Sequence, residues 1–399
     1  MVYWQMMPVY SLYLHIPFCQ HRCCYCDFNT YAGLDNLIPA YVDGLCREIE
    51  LLALAAGERL PVHTVFLGGG TPSLLPPDEL ERIVRALGEH FDLQSGAEIT
   101  LEANPGTLSQ DYLRALHGLG INRLSLGMQS AHPGELQLLE RGHDYGDVIR
   151  AVRWARKAGF ENLSLDLIFG LPYQAMQTWQ RSLELAVDLT PEHFSLYALT
   201  LEHGTPMQRW TSKGLLSEPD ADLAAEMYEW ASDHLAAKGY EQYEISNWTR
   251  DGGGDDRRCR HNLQYWRNLP YLGLGAGAHG YAGGVRTANV LAPAAYIRRC
   301  KDGRAGNFPR TPATGSVQKV DRETEMGETM MMGLRLTQEG ISQEAFKQRF
   351  GRPVDEIYSS EIDELVSGGL LEWHGEGRER LRLTPGGRLL GNQVFIRFI

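Results

Sequence analysis

Short β-branched or aromatic runs alternate with amphipathic helical segments along the first half of this 399-residue chain. This alternation is typical of repeated βα units, which build a parallel sheet. Six units are too few for a closed eight-stranded barrel, so the pattern predicts an open partial barrel or a doubly wound sheet. The six runs are Val9–Ile16, His63–Leu67, Ala97–Ala103, Arg123–Met128, Leu163–Phe169 and His193–Leu199.

The second half of the chain has a different character. An Asp/Gly/Arg-rich loop (Asp251–Arg258) is followed by a Gly-rich run (Leu272–Gly280) that we expect to fold back on the mouth of the barrel. From about Asp321, helical segments lead to a hairpin-like pair around Gly375–Gly377, which resembles a winged helix. We therefore predict a partial barrel over residues 1–240, a capping segment over 241–310 and a mainly helical, winged-helix-like domain over 311–399.

The charge balance excludes a dedicated nucleic-acid-binding protein. The chain has 38 Lys and Arg residues against 50 Asp and Glu residues, a net charge of −12, and no block of basic residues. Neutralising phosphates requires a basic surface, whereas the C-terminal helices carry Glu356, Glu361, Asp363 and Glu364. A packing or partner-binding role is therefore favoured for the C-terminal domain.

The chain start and the cysteines favour a soluble cytoplasmic protein. Residues 1–16 have no charged n-region followed by a long apolar stretch, and no segment approaches the ~18–20 apolar residues of a membrane span. Four of the seven cysteines lie between Cys19 and Cys26. A secreted disulfide scaffold would be shorter and would spread its cysteines along the chain, so the clustering indicates a metal site.

The spacing of Cys19, Cys23 and Cys26 places three thiolates on one short loop after the first predicted strand. Three thiolates hold three irons of a four-iron cluster and leave the fourth iron open to another ligand. A zinc knuckle is an alternative, with His15 or His21 as the fourth ligand. Chance clustering of buried cysteines is another.

Unusual residues follow the predicted strands at their carboxyl ends, where the reactive groups of parallel barrels gather. The cysteines follow the first strand, and a glycine run (Gly68–Thr71) follows the second. Glu102 ends the third strand, where a buried unpaired carboxylate would be costly, so it should face the mouth and pair with a cation or hydroxyl. The candidate site residues are therefore expected to lie together at one mouth of the barrel.

The segment YLHIPFCQHRCCYCDF resembles the signature of radical S-adenosylmethionine (SAM) enzymes, and the chain is similar to their coproporphyrinogen-dehydrogenase-like branch. The motifs that carry the second resemblance are GGGTPS, LEANP, LGMQS, LDLIFGLP and GAGAHGY. It implies a partial (β/α)6 barrel of the TIM-like, radical SAM type and a [4Fe–4S] cluster. Three cysteines and the amino and carboxylate groups of SAM would bind that cluster.

The resemblance also implies roles for individual residues. Gly69 would contact the SAM on iron, and Gly70 and Thr71 would line the neighbouring pocket. Further cofactor contacts are implied for Tyr13, Tyr25, Glu102, Gln129, Arg141 and Asp166. A buried ion pair of Arg141 with Asp166, and ordinary packing of the two tyrosines, are the structural alternatives.

Two departures separate the chain from the porphyrinogen-decarboxylating members of the branch. Those members carry a further cysteine two residues after the third ligand, where this chain has Phe28, and a long N-terminal segment, whereas only 18 residues precede Cys19. We therefore do not expect coproporphyrinogen decarboxylation. Cys24 is a departure of another kind, because a proline or another non-ligand is expected there.

The run HNLQYW (His261–Trp266) resembles the H-N-x-x-Y-W motif of the HemW haem chaperones. The resemblance implies binding of haem, with His261 as candidate axial ligand and Cys259 as the alternative, and no catalytic residue is assigned. The implied partners are haem-accepting proteins, including a transient membrane-protein acceptor, an electron donor and a second copy of the chain. The competing functions are a catalytic radical SAM enzyme (a two-SAM methyltransferase or cyclopropanase, or a porphyrin-modifying enzyme) and a scaffold with a structural cluster.

Overall fold

The computed structural model describes residues 8–250 and 256–399, so residues 251–255 of the predicted Asp/Gly/Arg-rich loop lie outside the described residues. The described chain forms two compact units. The first comprises the residues up to Ala231 together with Pro270–Lys319, and the second comprises Ser232–Leu269 together with Val320–Ile399. Each unit is therefore built from two separate stretches of the chain. The division expected from sequence is instead sequential, with domains over residues 1–240, 241–310 and 311–399. That division stays a prediction.

The strands alternate with helices throughout the first half, as the sequence pattern predicts. In chain order they are β1 (Tyr10–Ile16), β2 (Phe18–Cys19), β3 (Tyr31–Ala32), β4 (Pro61–Gly69), β5 (Asp92–Ala103), β6 (Arg123–Gln129), β7 (Leu163–Phe169), β8 (His193–Ala198), β9 (Tyr240–Glu244), β10 (Asn247–Arg250), β11 (Tyr271–Leu274), β12 (His279–Ala282), β13 (Val285–Asn289), β14 (Thr314–Lys319), β15 (Ile341–Ser342), β16 (Leu371–His374) and β17 (Arg380–Leu383).

The helices are mostly short. They are α1 (Ile38–Ala56), α2 (Pro77–His90), α3 (Gln110–Gly118), α4 (Pro133–Leu138), α5 (Tyr145–Ala158), α6 (Met176–Asp188), α7 (Pro206–Ser212), α8 (Ala221–Ala237), α9 (Arg260–Trp266), α10 (Pro293–Asp302), α11 (Arg322–Gly333), α12 (Gln343–Phe350), α13 (Val354–Ile357), α14 (Ser359–Ser367), α15 (Pro385–Leu389) and α16 (Gly391–Phe395). Across the two described ranges, no helix combines the length and the apolar character that a bilayer crossing requires.

The parallel sheet of the first unit confirms the predicted partial barrel. Its order runs β1-β4-β5-β6-β7-β8, so each βα unit lies beside the one before it. A doubly wound sheet would instead reverse its order near the first strand. On the other side of β1, β11 pairs in parallel, and β12, β13 and β14 continue the sheet in antiparallel pairs.

The barrel strands are buried along most of their length, as parallel strands covered on both faces are. In β1 the exception is Tyr13, and in β7 it is Asp166; both are partly exposed between buried neighbours. The helices between these strands carry ordinary end signals. Helix α5, for example, begins at a capping box of Asp144 and Asp147 and ends at Gly159, whose φ of 103° suits glycine.

The second unit contains the antiparallel pair β9–β10, helix α9 and the C-terminal helices. Its three-stranded sheet has the order β15-β17-β16, and β16 and β17 form the predicted hairpin. Buried apolar side chains such as Met330, Phe346, Leu371 and Phe395 form its core. Helices followed by a small antiparallel sheet agree with the predicted winged-helix-like domain.

Candidate cofactor site at the carboxyl ends of the barrel strands

The strand register brings the carboxyl ends of the barrel strands to one level. Ile16 of β1 lies opposite Gly69 of β4, and Glu102 of β5 lies opposite Ser125 of β6. Gly127 of β6 lies opposite Asp166 of β7. The residues that the sequence predicted for one mouth therefore come together in the first unit.

The cysteine loop (residues 19–30) leaves the end of β1 and is closed at its base by the short parallel pair β2–β3. The start of this loop is also tied to the glycine run, because the amides of Gly70 and Thr71 each donate at 2.8 Å to the carbonyls of Ile16 and Phe18. These bonds require close backbone approach. A Cβ at Gly70 would lie 2.6 Å from the same two carbonyl oxygens, which explains the glycine.

Each of the three predicted ligand sulfurs has a polar neighbour. Thr71 Oγ1 donates to Cys19 Sγ at 3.6 Å, and Arg141 NH1 donates to Cys23 Sγ at 3.6 Å. Thr30 Oγ1 lies 3.9 Å from Cys26 Sγ. Thr30 was not predicted as a site residue, and its place four residues after Cys26 is the signal that could have found it.

The donor set suits a metal cluster held by thiolates. Burial raises the pKa of the Cys19 and Cys26 thiols, so the loop would hold neutral thiols unless a metal replaced their protons. Hydroxyl and guanidinium donors around the sulfurs are the contacts that tune iron–sulfur clusters. No three His, Cys, Asp or Glu side chains among the described residues are arranged to hold a metal ion. Each ligand of a four-iron cluster binds its own iron, so three cluster thiolates need not converge on one point.

The two histidines of the zinc-knuckle alternative are engaged elsewhere. His15 Nε2 donates to the Asn29 carbonyl at 2.9 Å, and its Nδ1 accepts from the Tyr13 hydroxyl at 2.9 Å. His21 Nε2 lies 3.2 Å from Glu140 Oε2. Both ring nitrogens of His15 are therefore engaged, whereas His21 is held through Nε2.

Cys24 belongs to the apolar core, unlike the three predicted ligand cysteines. It is fully buried with Leu139, Ile168, Leu171 and Met207. Its Sγ donates to the Leu138 carbonyl at 3.2 Å, and burial raises the pKa of its thiol to about 12. The unexpected cysteine of the loop is thus a packing residue.

Two carboxylates stand at the mouth, both partly exposed. Glu102 Oε2 accepts from the Gly69 amide at 3.0 Å. Burial and the neighbouring charge of Asp166 raise the pKa of Glu102 to about 7. Burial also raises the pKa of Asp166, while hydroxyl donors oppose that rise. A cation arriving here would favour both ionised forms, so the mouth is suited to an ammonium or sulfonium group.

Asp166 is held by serines that were not among the predicted site residues. Ser125 Oγ lies 3.0 and 2.9 Å from the two carboxylate oxygens, and Ser164 Oγ donates to Oδ1 at 3.0 Å. A small polar residue inside an otherwise apolar strand was the available signal. The alternative of an Arg141–Asp166 ion pair is not what the structure has, because Arg141 donates to Cys23 Sγ and to the Gly127 carbonyl at 3.0 Å.

Gln129 takes its position from a β-bulge. The pairing of β6 with β7 shifts between Gly127 and Gln129, and Gln129 has a φ of 62°, which is uncommon for a residue with a side chain. A Cβ at Gly127 would lie 2.8 Å from Gln129 Nε2 and 2.9 Å from Arg141 NH2. Gly127 therefore leaves the space in which these two predicted site residues meet.

The two predicted tyrosines contact different neighbours. Tyr13 reaches His15, and a side chain at Gly69 would collide with the same imidazole ring. Tyr25 packs against the apolar cluster that contains Cys24, and the charge of Arg141 acts on its hydroxyl. Their contacts with SAM stay predictions.

The predicted haem ligand lies in the second unit, on α9. His261 is 1% exposed, and its Nε2 is 2.9 Å from the Tyr265 hydroxyl, one helical turn away. Cys259, the alternative ligand, is fully buried at the N-cap of the same helix. The guanidinium of Arg335 lies 5.1 Å over the ring of Trp266, the last residue of the motif. The ligand role of His261 stays a prediction.

Comparisons with known proteins agree with this geometry. Residues 13–186 match the Radical SAM superfamily, and residues 320–390 match the HemN C-terminal domain. The coproporphyrinogen III oxidase HemN from Escherichia coli superposes with a TM-score of 0.82, covering 98% of this chain and 90% of that one. At 23% identity, this similarity shows a common fold.

Two curated relatives are similar over most of their length. The chain is 38% identical to a protein named Heme chaperone HemW from Bacillus subtilis, covering 98% of this chain and 99% of that protein. It is 36% identical to the mouse radical S-adenosyl methionine domain-containing protein 1, mitochondrial, covering 90% and 81%. With the cysteine loop and the partial barrel, these similarities show that the chain belongs to the HemW family of the radical SAM superfamily.

Proposed function

We propose that this chain is a haem chaperone, which binds haem and delivers it to acceptor proteins. The observation that carries the proposal is the full-length similarity to proteins named Heme chaperone HemW. Phe28, at the position where decarboxylating relatives carry a fourth cysteine, supports a role other than porphyrinogen oxidation.

Membership of the radical SAM superfamily implies a [4Fe–4S] cluster and SAM. We propose Cys19, Cys23 and Cys26 as the cluster ligands, with SAM as the exchangeable ligand of the fourth iron. When bound, the cluster supplies the electron that cleaves SAM reductively. The chain's own part is to hold the cofactors: Thr71, Thr30 and Arg141 place donors beside the sulfurs.

Around the cluster, we propose that the mouth binds SAM through backbone and carboxylates. Gly69 and Gly70, whose absent Cβ atoms would face the His15 ring and the Ile16 and Phe18 carbonyls, would place the end of β4 beside the ligand. Glu102 and Asp166 would balance the positive groups of the ligand. The pKa of Glu102 is about 7 without a cation, so SAM would favour its ionised form. We propose Tyr13, Tyr25, Gln129 and Arg141 as the remaining contacts, as the family resemblance implies.

For haem we propose His261 as the axial ligand. Its Nε2 already has the Tyr265 hydroxyl as a partner, so ligation requires that hydroxyl to move. Tyr265→Phe should therefore bind haem faster than the wild type, whereas His261→Ala should lose the ligand-field bands of the complex. Cys259→Ser tests the alternative thiolate ligand, and His203→Ala, at an exposed histidine, is the matched control.

Haem titration of the reconstituted holoprotein tests the proposed function. We expect a Soret shift that saturates at one haem per chain, followed by transfer to an apo-haemoprotein. A protein that binds no haem would overturn the proposal. Retention of all haem in the presence of an apo-acceptor would overturn delivery.

A catalytic radical SAM enzyme is the second candidate, because the proposed cofactor contacts lie together at the carboxyl ends of the barrel strands, where the active sites of barrel enzymes lie. Anaerobic incubation with reductant and SAM, with and without haem, separates the candidates when 5′-deoxyadenosine and haem are followed together. Haem release without a modified acceptor supports the chaperone. Stoichiometric 5′-deoxyadenosine with a methylated or cyclopropanated acceptor, or with a modified porphyrin, supports the enzyme.

We further propose that the chain acts in the cytoplasm, with an electron donor for the cluster and haem-accepting proteins as partners. A membrane haemoprotein is one such acceptor, and a homodimer is the proposed assembly. None of the seven cysteines, all of which lie among the described residues, forms a disulfide, which fits a reducing compartment. Size-exclusion chromatography with light scattering of the anaerobic holoprotein tests the dimer.

A further inference from the structure

Glu48 is a buried carboxylate that is not among the proposed contacts of the cluster, SAM or haem. It lies on α1 and has no exposed surface. Its Oε1 accepts from Asn289 Nδ2 at 2.8 Å and from the Thr311 hydroxyl at 2.6 Å. Its Oε2 accepts from the Gly275 amide at 2.8 Å and from the Tyr296 hydroxyl at 2.7 Å.

All four donors are neutral groups from the segment that returns to the barrel after residue 270. A buried carboxylate without a cation is expensive unless hydrogen bonds satisfy it. Glu48 therefore holds four separate points of that segment at once. Removing its charge releases donors that then have no partner, which costs more than the bonds themselves.

The returning loop (residues 275–277) reaches the cysteine loop, as does the Leu291 carbonyl, which accepts from Asn29 Nδ2 at 3.0 Å. The Ala276 amide donates to the Tyr41 hydroxyl at 2.7 Å, and Tyr41 in turn donates to the His15 carbonyl at 2.8 Å. The Ala276 carbonyl accepts from Asn29 Nδ2 at 3.0 Å. Asn29 lies in the cysteine loop next to Thr30, whose hydroxyl is beside Cys26 Sγ.

The contacts of the returning loop with His15 and Asn29 leave no space for side chains at Gly275 and Gly277. Gly275 has a φ of 97°, and a Cβ there would run into the His15 carbonyl; Gly277 has a φ of 80°, and a Cβ there would run into the Asn29 side chain. The Asn29 carbonyl also accepts from His15 Nε2, which fixes the ring beside Gly69. The returning loop is thus a rigid support for the cysteine loop.

We infer that Glu48 is a positioning residue for the cofactor site: it fixes the returning loop, and this loop holds Asn29 and His15 in the places that shape the cysteine loop for SAM. The inference rests on the proposed cluster and SAM site. It assigns a role in that site to a buried residue of α1 and to the GAGAHG motif.

The test is a double-mutant cycle on SAM affinity in the reconstituted holoprotein. In Glu48→Gln the new amide group leaves either the Gly275 amide or one N–H of the Asn289 side chain without its acceptor, whichever way the side chain is turned. Asn29→Ala cuts the link to Ala276 without touching Glu48. We expect each variant to weaken SAM binding about fivefold. Because both substitutions break the same support of the cysteine loop, SAM binding by the double variant should also be about fivefold weaker than in the wild type, not about 25-fold weaker.

Two further readouts distinguish positioning from general stability. The EPR signal of the reduced cluster with SAM should change in the same way in both single variants, and in the apoprotein the amides of residues 29–30 should exchange faster in Glu48→Gln. Glu244→Gln removes a carboxylate of the second unit that is 1% exposed. It should lower the unfolding temperature and leave SAM affinity unchanged.

Multiplicative losses in the double variant, or unchanged SAM affinity in Glu48→Gln, would overturn the inference while leaving the cofactor assignment intact. A wild-type protein that holds the cluster but binds no SAM would overturn both. If Glu48→Gln does not fold, Thr311→Val removes one of the four donors and keeps the carboxylate. Thr311→Val should weaken SAM binding about twofold, and an unchanged SAM affinity in this variant would also contradict the inference.

Discussion

At the scale of single residues, neighbouring cysteines differ in role because their side chains meet different surroundings. Cys23 lies beside the Arg141 guanidinium, whereas Cys24 is buried among aliphatic side chains. We expect Cys24→Ala to lower the free energy of unfolding by about 1–2 kcal/mol through lost packing and one lost hydrogen bond, with full iron and sulfide content. Cys23→Ala, the matched variant, should lose the cluster. Iron analysis measures the cluster content of the two variants, and urea unfolding measures their stability. Equal loss of iron in Cys24→Ala and Cys23→Ala would contradict the different roles of these two cysteines.

Asp166 carries a second residue-scale prediction. Ser164→Ala removes a hydroxyl that opposes the raised pKa of Asp166, so the carboxyl should bind its proton at a higher pH. Since only the ionised form attracts a cation, SAM affinity should begin to fall at a higher pH than in the wild type and be about fivefold weaker near the midpoint. Glu102, Arg123 and His193 face the same region.

The control for this pH profile is Ser11→Ala, which removes a buried hydroxyl of β1 bonded to Thr64 and His63. It should leave the profile of SAM affinity against pH unchanged. Isothermal titration over the mildly acidic to neutral range measures both variants. Coincident profiles for Ser164→Ala and wild type would show that Ser164 does not set the ionisation of Asp166.

At the scale of elements, the bulge at the end of β6 decides how Gln129 and Arg141 enter the site. Gly127→Ala places a methyl group within 3 Å of the ends of the Gln129 and Arg141 side chains. These flexible ends must move, whereas the backbone of β6 keeps its position. We expect about tenfold weaker SAM binding, a loss of about 1.4 kcal/mol, with little change in stability. Gly118→Ala, at the end of α3 with open space around it, is the control; equal SAM affinity in the two variants would contradict this role.

Elements and motifs that depend on local pattern could be predicted from the sequence, and long-range contacts could not. The six barrel strands and the clustering of cysteines on one loop follow from residue periodicity and spacing, which are properties of short segments. The bulge at Met128 and the serines around Asp166 depend on which strands become neighbours. Glu48 is the extreme case, because its partner Thr311 is 263 residues away in the chain and no local pattern relates the two.

At the scale of the whole molecule, the net charge of −12 bears on the choice of haem acceptor. Opposite charges speed encounter and like charges slow it, and salt screens both effects. We expect haem transfer to an apo-globin variant with added surface lysines to slow about tenfold between low and high ionic strength. A variant of the same globin with added glutamates should accept haem slowly and become faster as salt rises. Stopped-flow absorbance measures both rates. Identical salt dependence for the two acceptors would show that transfer depends on a local contact and not on the acidic character of the chain.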